Sequence, residues 1–356
     1  MDFKDILNIM VEKDATDIFI RAGSPLKGRI LTEIKTIREN IFSNSEVDKI
    51  IAEVIDPHMK NRLQQYRSCE FATWYNERWR FRVGVFYQRN TICLVIRKID
   101  LNIPDFEELN LPAAVLESFC RQRRGLVLLT GVTGSGKSTT IASMIEHMNR
   151  TSGRHILTIE EPIEFIFTDK QSMINQREIG VDVSSYADAL KQFAMHSPDV
   201  IYIGNITDEK TCHAALTAAE TGVLVLSTTH TVNASSTVQR LVNFFPSQQQ
   251  PFIFNQLASF LKGVVSLRLL PRNDKEGLIP AYEVMTLSPT IASLIRERKM
   301  WEMPKYMATG KIYGMNIFNQ CLLELIESKK VSVETAMEYS DKREELELQL
   351  RQKDIL

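Results

Sequence analysis

The spacing of hydrophobic positions changes near residue 100, and the change divides the chain into two parts. The first part begins with a helical pattern over Asp2–Lys13 that places Phe3 and Ile6 on one face. A strand pattern follows at Asp17–Arg21, and the loose alternation of Lys27–Ile37 predicts a further strand pair. One helix is predicted over Ser45–Gln65, and segments rich in β-branched and aromatic residues predict strands at Phe71–Tyr75, Arg78–Gln88 and Cys93–Ile99. Residues 1–100 therefore predict a small α+β domain with a mostly antiparallel sheet.

The second part follows a polar, proline-containing segment, residues 101–112, which is predicted to be a linker. Beyond it, in residues 113–356, apolar strands alternate with helices, which is typical of an α/β domain with a largely parallel sheet. From Pro251 onward the pattern predicts mainly helices, with a pair of strands at Val264–Leu270 and Ala281–Val284. The charge-rich segment Asp341–Lys353 is predicted to form a solvated tail helix.

Composition restricts the partners and the compartment. The 356 residues carry a net charge of −1, so there is no bulk attraction to nucleic acid. The five scattered cysteines form no C-x-x-C pair and indicate reduced thiols. No apolar run approaches the roughly 18 residues of a membrane span, and the first residues lack the apolar core of a signal peptide. We expect a cytoplasmic protein.

A phosphate-binding loop is the clearest chemical motif. Gly131–Ser138 fits G-x-x-x-x-G-K-[ST], with an apolar strand before it and a helix after it. Glycines allow successive backbone N–H groups to turn toward phosphate oxygens, a lysine reaches the β- and γ-phosphates, and the serine hydroxyl ligates Mg²⁺. The pattern predicts ATP and Mg²⁺ as ligands, with Ser138 as the metal ligand and nucleotide contacts from Gly131, Thr133, Gly134, Ser135, Gly136, Lys137, Ser138 and Thr139.

Several further segments carry a family resemblance. They are HILTIEEPIEF (155–165), INQREIG (174–180), SPDVIYIGN (197–205), TAAETG (217–222), THT (229–231), FRVGVFYQRN (81–90) and GMNIFNQCL (314–322). Together with the phosphate-binding loop they resemble the PilT/PilU family of type IV pilus retraction ATPases, within the secretion ATPase superfamily. The opening MDFKDIL and the charged tail are somewhat closer to the PilU branch.

The resemblance implies an architecture and a set of partners. It implies a PAS-like N-terminal domain, a RecA-like P-loop domain and a homohexameric ring, with nucleotide between the two domains of a subunit. Arg82 and Arg97 match arginines that face the nucleotide. The ring would lie on the cytoplasmic side at the inner-membrane base of the pilus machine, contact its platform protein and drive twitching motility through pilus retraction.

The resemblance also assigns catalytic positions. Glu161 and Glu164, with Glu160, occupy the family's acidic box, where a carboxylate serves the metal or the attacking water. His230 matches a γ-phosphate-sensing histidine. Asn205 stands where the family has the Walker B glutamate, and an amide can orient a water but cannot accept its proton.

Three other charge-handling positions depart from the family. The family has arginines at the positions of Met195 and Thr207 and a histidine at Val223. The retraction-associated motif, roughly AIRNLIRE, is represented by Thr290–Glu297, which lacks the earlier arginine and the asparagine. These losses affect hydrolysis, whereas the groups that bind nucleotide are retained.

Three interpretations remain open at this stage. The favoured one is an ATP-binding ring subunit with weakened hydrolysis, acting beside an active PilT-type paralogue. The second is a fully active hexameric retraction ATPase that relies on the acidic box. The third, a RecA-like nucleic-acid motor, fits the fold alone, because the sequence has no basic stripe with interleaved aromatic residues.

Overall fold

The computed structural model describes residues 1–30, 33–76, 79–99 and 102–356, without the side chains of residues 193–195. The start of the predicted strand at Arg78, the first linker residue and the Met195 side chain therefore lie outside the described part. The chain forms two compact units: residues 1–102 with 162–166, and residues 103–161 with 167–356. The domain boundaries given by the sequence stay a prediction, as does the PAS-like character of the first unit.

The N-terminal unit is built around one antiparallel sheet. Its strands run in the order β3-β2-β1-β6-β5-β4, and every pair is antiparallel. Residues 162–166 join this unit, where the backbone carbonyl of Ile163 accepts a 2.8 Å hydrogen bond from Arg80. The elements are α1 Phe3–Glu12, β1 Asp17–Arg21, β2 Pro25–Ile30, β3 Glu33–Ile41, α2 Asn44–Ala52, α3 Pro57–Tyr66, β4 Ser68–Trp74, β5 Arg80–Gln88 and β6 Thr91–Ile99.

One helix of this unit was predicted wrongly. The single helix over Ser45–Gln65 is two helices, because Pro57 lacks a backbone N–H and restricts the residue before it. Asp56 instead caps α3, its carboxylate accepting from the Met59 N–H at 2.7 Å. The proline occupies the first turn of α3, where its missing donor costs nothing.

The C-terminal unit contains a seven-stranded sheet in the order β13-β12-β7-β11-β10-β8-β9. All neighbours are parallel except β12 and β13, so the prediction of an α/β fold with a largely parallel sheet is confirmed. The strands are β7 Gly125–Thr130, β8 His155–Glu160, β9 Met173–Glu178, β10 Val200–Ile203, β11 Leu224–Thr229, β12 Leu261–Pro271 and β13 Leu278–Thr286.

Helices cover both faces of this sheet. Strands β7, β10 and β11 are buried along their whole length, which explains their mostly apolar sequences; β7 and β11 end in hydroxyl residues. The helices are α4 Ala113–Cys120, α5 Lys137–Thr151, α6 Tyr186–His196, α7 Glu209–Glu220, α8 Ala234–Val242, α9 Gln250–Phe260, α10 Pro289–Arg296, α11 Met303–Thr309, α12 Phe318–Glu327, α13 Val333–Tyr339 and α14 Arg343–Gln352. Within the described ranges, no helix is long and apolar enough to cross a bilayer.

The C-terminal helix α14 is not the solvated tail that the charge pattern predicted. Leu346 and Leu350 are fully buried in an apolar cluster with α12 and α13, whereas Leu348 is 58% exposed. Leucines four residues apart share one face of a helix, so two of them suffice to attach it. The charged side chains occupy the remaining surface and gave the segment its polar composition.

Candidate functional site

The predicted site residues of the C-terminal unit lie together at one end of its sheet, where the parallel strands finish. Neighbouring parallel strands β7, β11, β10 and β8 end here, because parallel strands place their carboxyl ends on the same side. The phosphate-binding loop follows β7, His230 follows β11, Asn205 follows β10, and Glu161 follows β8. Strand order thus brings together residues that are far apart in the sequence.

The phosphate-binding loop takes the backbone shape that its glycines allow. Gly131, Gly134 and Gly136 have φ values of 143°, 80° and 93°, a region that side chains disfavour. A Cβ atom on Gly131 would come within 2.5 Å of the Leu267 carbonyl oxygen, so close packing against β12 also requires glycine there. Thr133 and Gly134 are exposed at the tip of the loop, and Ser138 and Thr139 are half-buried at the start of α5.

Lys137 and Ser135 show that the loop is fit to receive an anion. The buried Lys137 ammonium donates to the carbonyl oxygens of Gly131 and Val132 at 2.7 and 2.9 Å, which fixes it across the loop. The buried Ser135 hydroxyl has no hydrogen-bond partner in the described protein. A donor at the N-terminus of a helix, left without a partner, suits a phosphate oxygen. The donor set therefore fits the predicted nucleotide.

A cavity of about 350 Å³ adjoins the loop within the same unit. Ser135, Gly136, Thr139 and Thr140 contribute the wall nearest the phosphate-binding loop. The other walls mix apolar side chains with polar and charged ones. They are Leu109, Leu111, Leu267, Leu269, Leu278 and Pro280, and Glu108, Asn110, Arg272, Lys275 and Glu276. A cavity with apolar and polar walls beside phosphate donors has the character expected of a nucleoside site. Motif analysis predicted Ser135, Gly136 and Thr139 but missed the walls outside the loop, because those come from two separate segments, residues 108–111 and 267–280.

Asn205 and His230 are joined directly. The Asn205 side-chain amide lies 3.1 Å from Nε2 of His230, and the Asn205 Oδ1 atom has no partner in the described protein. Burial, and then the Lys137 charge, lower the pKa of His230, while a hydrogen bond to the Gly131 backbone acts in the opposite direction. The neutral ring is therefore favoured.

The acidic residues after β8 differ in their surroundings. Glu160 is buried and accepts a 2.7 Å hydrogen bond from the Thr158 hydroxyl, whereas Glu161 is exposed. Burial, followed by these two carboxylates, raises the pKa of the Tyr186 phenol. A Cβ atom on Gly204 would lie 2.8 Å from that phenol oxygen, so glycine admits Tyr186 beside the end of β10. No motif in the sequence pointed to Tyr186 as a site residue.

Glu164, Arg82 and Arg97 belong to the N-terminal unit. Arg82 forms an ion pair with Glu70 and lies 3.6 Å from Glu164. Arg97 donates from Nε to Asp17 at 2.8 Å. Each arginine thus has a carboxylate partner within its own unit, and their predicted role toward nucleotide stays a prediction.

Three of the residues predicted to depart from the family pattern lie in ordinary structural surroundings. Val223 is buried in the core, and Ala292 in α10 is also buried. Thr207 precedes Asp208, which caps α7 by accepting from the Thr211 N–H at 2.9 Å. The chain therefore retains the elements around the site while lacking the charges that the resemblance led us to expect.

Comparison with known proteins agrees with this geometry. Residues 3–353 match the family model described as type II/IV secretion system protein. The chain is 35% identical to the type IV pilus ATPase PilU of Pseudomonas aeruginosa, over 99% of this chain and 92% of that protein. It is 34% identical to the pilus retraction ATPase PilT of the same organism, over 95% and 98% of the two chains.

A solved structure extends the likeness to the fold. The crystal structure of the pilus retraction motor PilT with bound ADP superposes with a TM-score of 0.89 at 38% identity, covering 98% of this chain and 99% of that one. The match thus covers both units, including the end of the sheet where the predicted site residues lie. The chain therefore belongs to the type II/IV secretion system protein family.

Proposed function

We propose that this chain is an ATP-binding subunit of a type IV pilus retraction motor whose hydrolysis is weakened. The observation that carries the proposal is a complete phosphate-binding loop beside an amide, Asn205, hydrogen-bonded to His230. The relatives, named as PilU and PilT pilus ATPases over nearly their full length, support the biological setting.

Binding and hydrolysis depend on different groups at this site. Binding uses backbone N–H groups, Lys137 and the free hydroxyl of Ser135, and all of these are in place. Hydrolysis needs a group that accepts a proton from water, and losing one commonly lowers the rate about 10²–10⁴-fold. Mg²⁺, held by Ser138 in this proposal, would neutralise phosphate charge. The adjoining cavity would take the base and ribose.

The assembly follows from the same resemblance. In this proposal the subunit forms a hexameric ring at the cytoplasmic side of the inner membrane and contacts the platform protein of the pilus machine. It acts beside an active PilT-type paralogue, which supplies most of the hydrolysis. Arg82 and Arg97 complete the nucleotide site in the ring, and Glu161 and Glu164 provide its carboxylates.

Nucleotide binding tests the first half of the proposal. Titration with a fluorescent ATP analogue and Mg²⁺ is expected to show saturable binding that Lys137→Ala weakens at least about tenfold, since a charged phosphate contact is lost. Lys191→Ala, at a lysine 78% exposed on α6, is the matched control and is expected to bind normally. Equal binding by the Lys137 variant would contradict the assignment.

Steady-state ATP turnover tests the second half. The unmodified protein is expected to turn over slowly, and Asn205→Glu to accelerate it at least about tenfold by restoring a proton acceptor. Asn205→Gln matches the glutamate in length without its charge and is expected to stay slow. Turnover of about 1 s⁻¹ or more by the unmodified protein, an ordinary enzyme rate, would favour the fully active ATPase instead.

A further inference from the structure

Asn205 and His230 lie side by side because of the strands that precede them. Asn205 follows β10 and His230 follows the neighbouring strand β11, so the parallel pairing of the two strands sets the distance between them. The turn after β10 is held by two further bonds: Thr228 donates its hydroxyl to the Gly204 carbonyl at 2.6 Å, and Ile206 N–H donates to the Thr228 carbonyl at 3.0 Å. These bonds hold the backbone of the turn, so the Asn205 side chain starts from a defined position beside the ring.

The partners of the ring determine which nitrogen carries its proton. A backbone carbonyl can only accept, so the hydrogen bond between the ring and Gly131 uses a ring N–H. In a neutral imidazole the other nitrogen is then bare, and Nε2 is the atom 3.1 Å from the Asn205 amide nitrogen. That nitrogen donates to the lone pair of Nε2. A second proton on the ring would place two donors face to face.

The surrounding charges act in the same direction. Lys137, at the start of α5, is the charged group that acts on the ring, and a positive charge disfavours an imidazolium. The three partners identified for the ring among the described residues are one ammonium, one carbonyl and one amide, and none of these three is an anion. A carboxylate at position 205 would reverse this by pairing with an imidazolium.

We propose that Asn205 is a positioning residue that acts through His230, holding the ring uncharged with Nε2 as acceptor and its N–H directed to the Gly131 carbonyl. This rests on the proposed function, because the ring adjoins the loop that holds the nucleotide phosphates. The consequence is that nucleotide affinity does not follow the titration of this histidine between pH 6 and 8. With Asn205→Asp, nucleotide affinity would instead follow the protonation of His230.

Histidine C2–hydrogen exchange, read by mass spectrometry on nucleotide-free protein, measures the pKa of His230 separately from the other five histidines. In the unmodified protein we expect a pKa below 6.5. Asn205→Asp is expected to raise it by about one to three pH units, as an opposite charge at hydrogen-bond distance does. Asn205→Leu removes the donor at similar size and is expected to raise it by a smaller amount.

The chain offers a matched control in a second asparagine–histidine pair. His155 Nε2 lies 2.8 Å from Asn175 Oδ1, at the start of β8 and away from the loop. Asn175→Asp places the same added charge beside a histidine away from the loop, and it is expected to leave both the pKa of His230 and nucleotide binding unchanged. This separates a local effect at position 205 from a general effect of added charge.

Nucleotide titration gives the functional result. The Kd of the fluorescent ATP analogue is expected to change less than about twofold between pH 6 and 8 in the unmodified protein. With Asn205→Asp it is expected to tighten at least about threefold as pH falls, because protonation of His230 then offsets the added carboxylate.

Two results would overturn the inference. One is a pKa of His230 at or above 6.5 in the unmodified protein, and the other is a value that Asn205→Leu leaves unchanged. Because exchange is measured without nucleotide, either result would stand even if ATP binding were normal. Failure of nucleotide binding would instead refute the proposed function and leave the pair intact.

Discussion

Glu283 offers a test of how a buried charge limits the stability of the C-terminal unit. It lies in β13, is 7% exposed, and accepts a 2.9 Å hydrogen bond from the Ala234 N–H at the start of α8. Burial raises its pKa to about 7, while the Ala234 bond and the Arg268 charge oppose that rise. Glu283→Gln keeps an oxygen that can accept from Ala234 and removes the ionisation.

The sign and size of the effect follow from this pKa. The folded protein holds the proton more tightly than the unfolded chain, whose glutamate has a pKa near 4.5. The contribution is therefore fully present below pH 4.5 and is lost as pH rises through 7. The difference of about 2.5 pH units corresponds to about 3 kcal/mol of unfolding free energy well above pH 7. Glutamine does not incur this loss.

Thermal unfolding followed from pH 5 to pH 8.5 measures the effect. For a domain of 150–250 residues, 1 kcal/mol moves the Tm by about 2–4 °C, so the glutamine variant should gain about 6–12 °C over the unmodified protein at pH 8.5. The gain should shrink steadily toward pH 5, where Glu283 is protonated in the folded state.

Two controls isolate the ionisation. Glu344→Gln removes a carboxylate from the surface of α14 and is expected to show no such pH-dependent gain. Glu283→Ala also removes the ionisation but loses the acceptor for Ala234, so it is expected to be less stable than Glu283→Gln throughout the range, by about 1–3 kcal/mol. A glutamine variant whose Tm difference does not grow between pH 5 and 8.5 would refute the assignment of a buried, proton-holding Glu283.

Two further substitutions test packing around the site and at the C-terminus. Gly204→Ala places a Cβ atom 2.8 Å from the Tyr186 phenol oxygen. This variant should bind the ATP analogue more weakly, and adding Tyr186→Phe in the same chain should restore the binding. No recovery would mean that the backbone itself is affected. Leu350→Ala, at a fully buried position, should lower the free energy of unfolding by about 2–5 kcal/mol in chemical denaturation. Leu348→Ala, at a position 58% exposed, should change it by no more than about 0.5 kcal/mol. Equal losses would mean that α14 does not pack against the unit.

Local chemistry explains why some features could be predicted from the sequence. The glycine spacing of Gly131–Ser138 sets backbone angles directly, so the loop, the strand before it and the helix after it could be predicted together. The buried strands could be predicted for a similar reason: a strand covered on both faces has a largely apolar sequence. The α/β class follows from their alternation with helices.

Features that depend on tertiary contact were missed. Strand β9 is polar and at the edge of the sheet, with only part of each face covered, so it lacks the apolar pattern of the inner strands. Helix α14 is attached by two leucines among many charges. Tyr186 reaches the site only because Gly204 has no side chain. In each case the deciding neighbour is distant in the sequence.

The difference between local backbone geometry and contacts from distant side chains also bears on how this site could lose hydrolysis while still binding nucleotide. The phosphate donors are mostly backbone N–H groups whose directions depend on glycine angles, and a substitution in another strand leaves them unchanged. In the proposed function, proton acceptance depends on one side chain after β10, and the Asn205 amide cannot supply it. Of the carboxylates after β8, Glu160 is buried with Thr158 and Glu161 is exposed. Any residual turnover therefore points first to Glu161, and Glu161→Gln is the substitution that should abolish it.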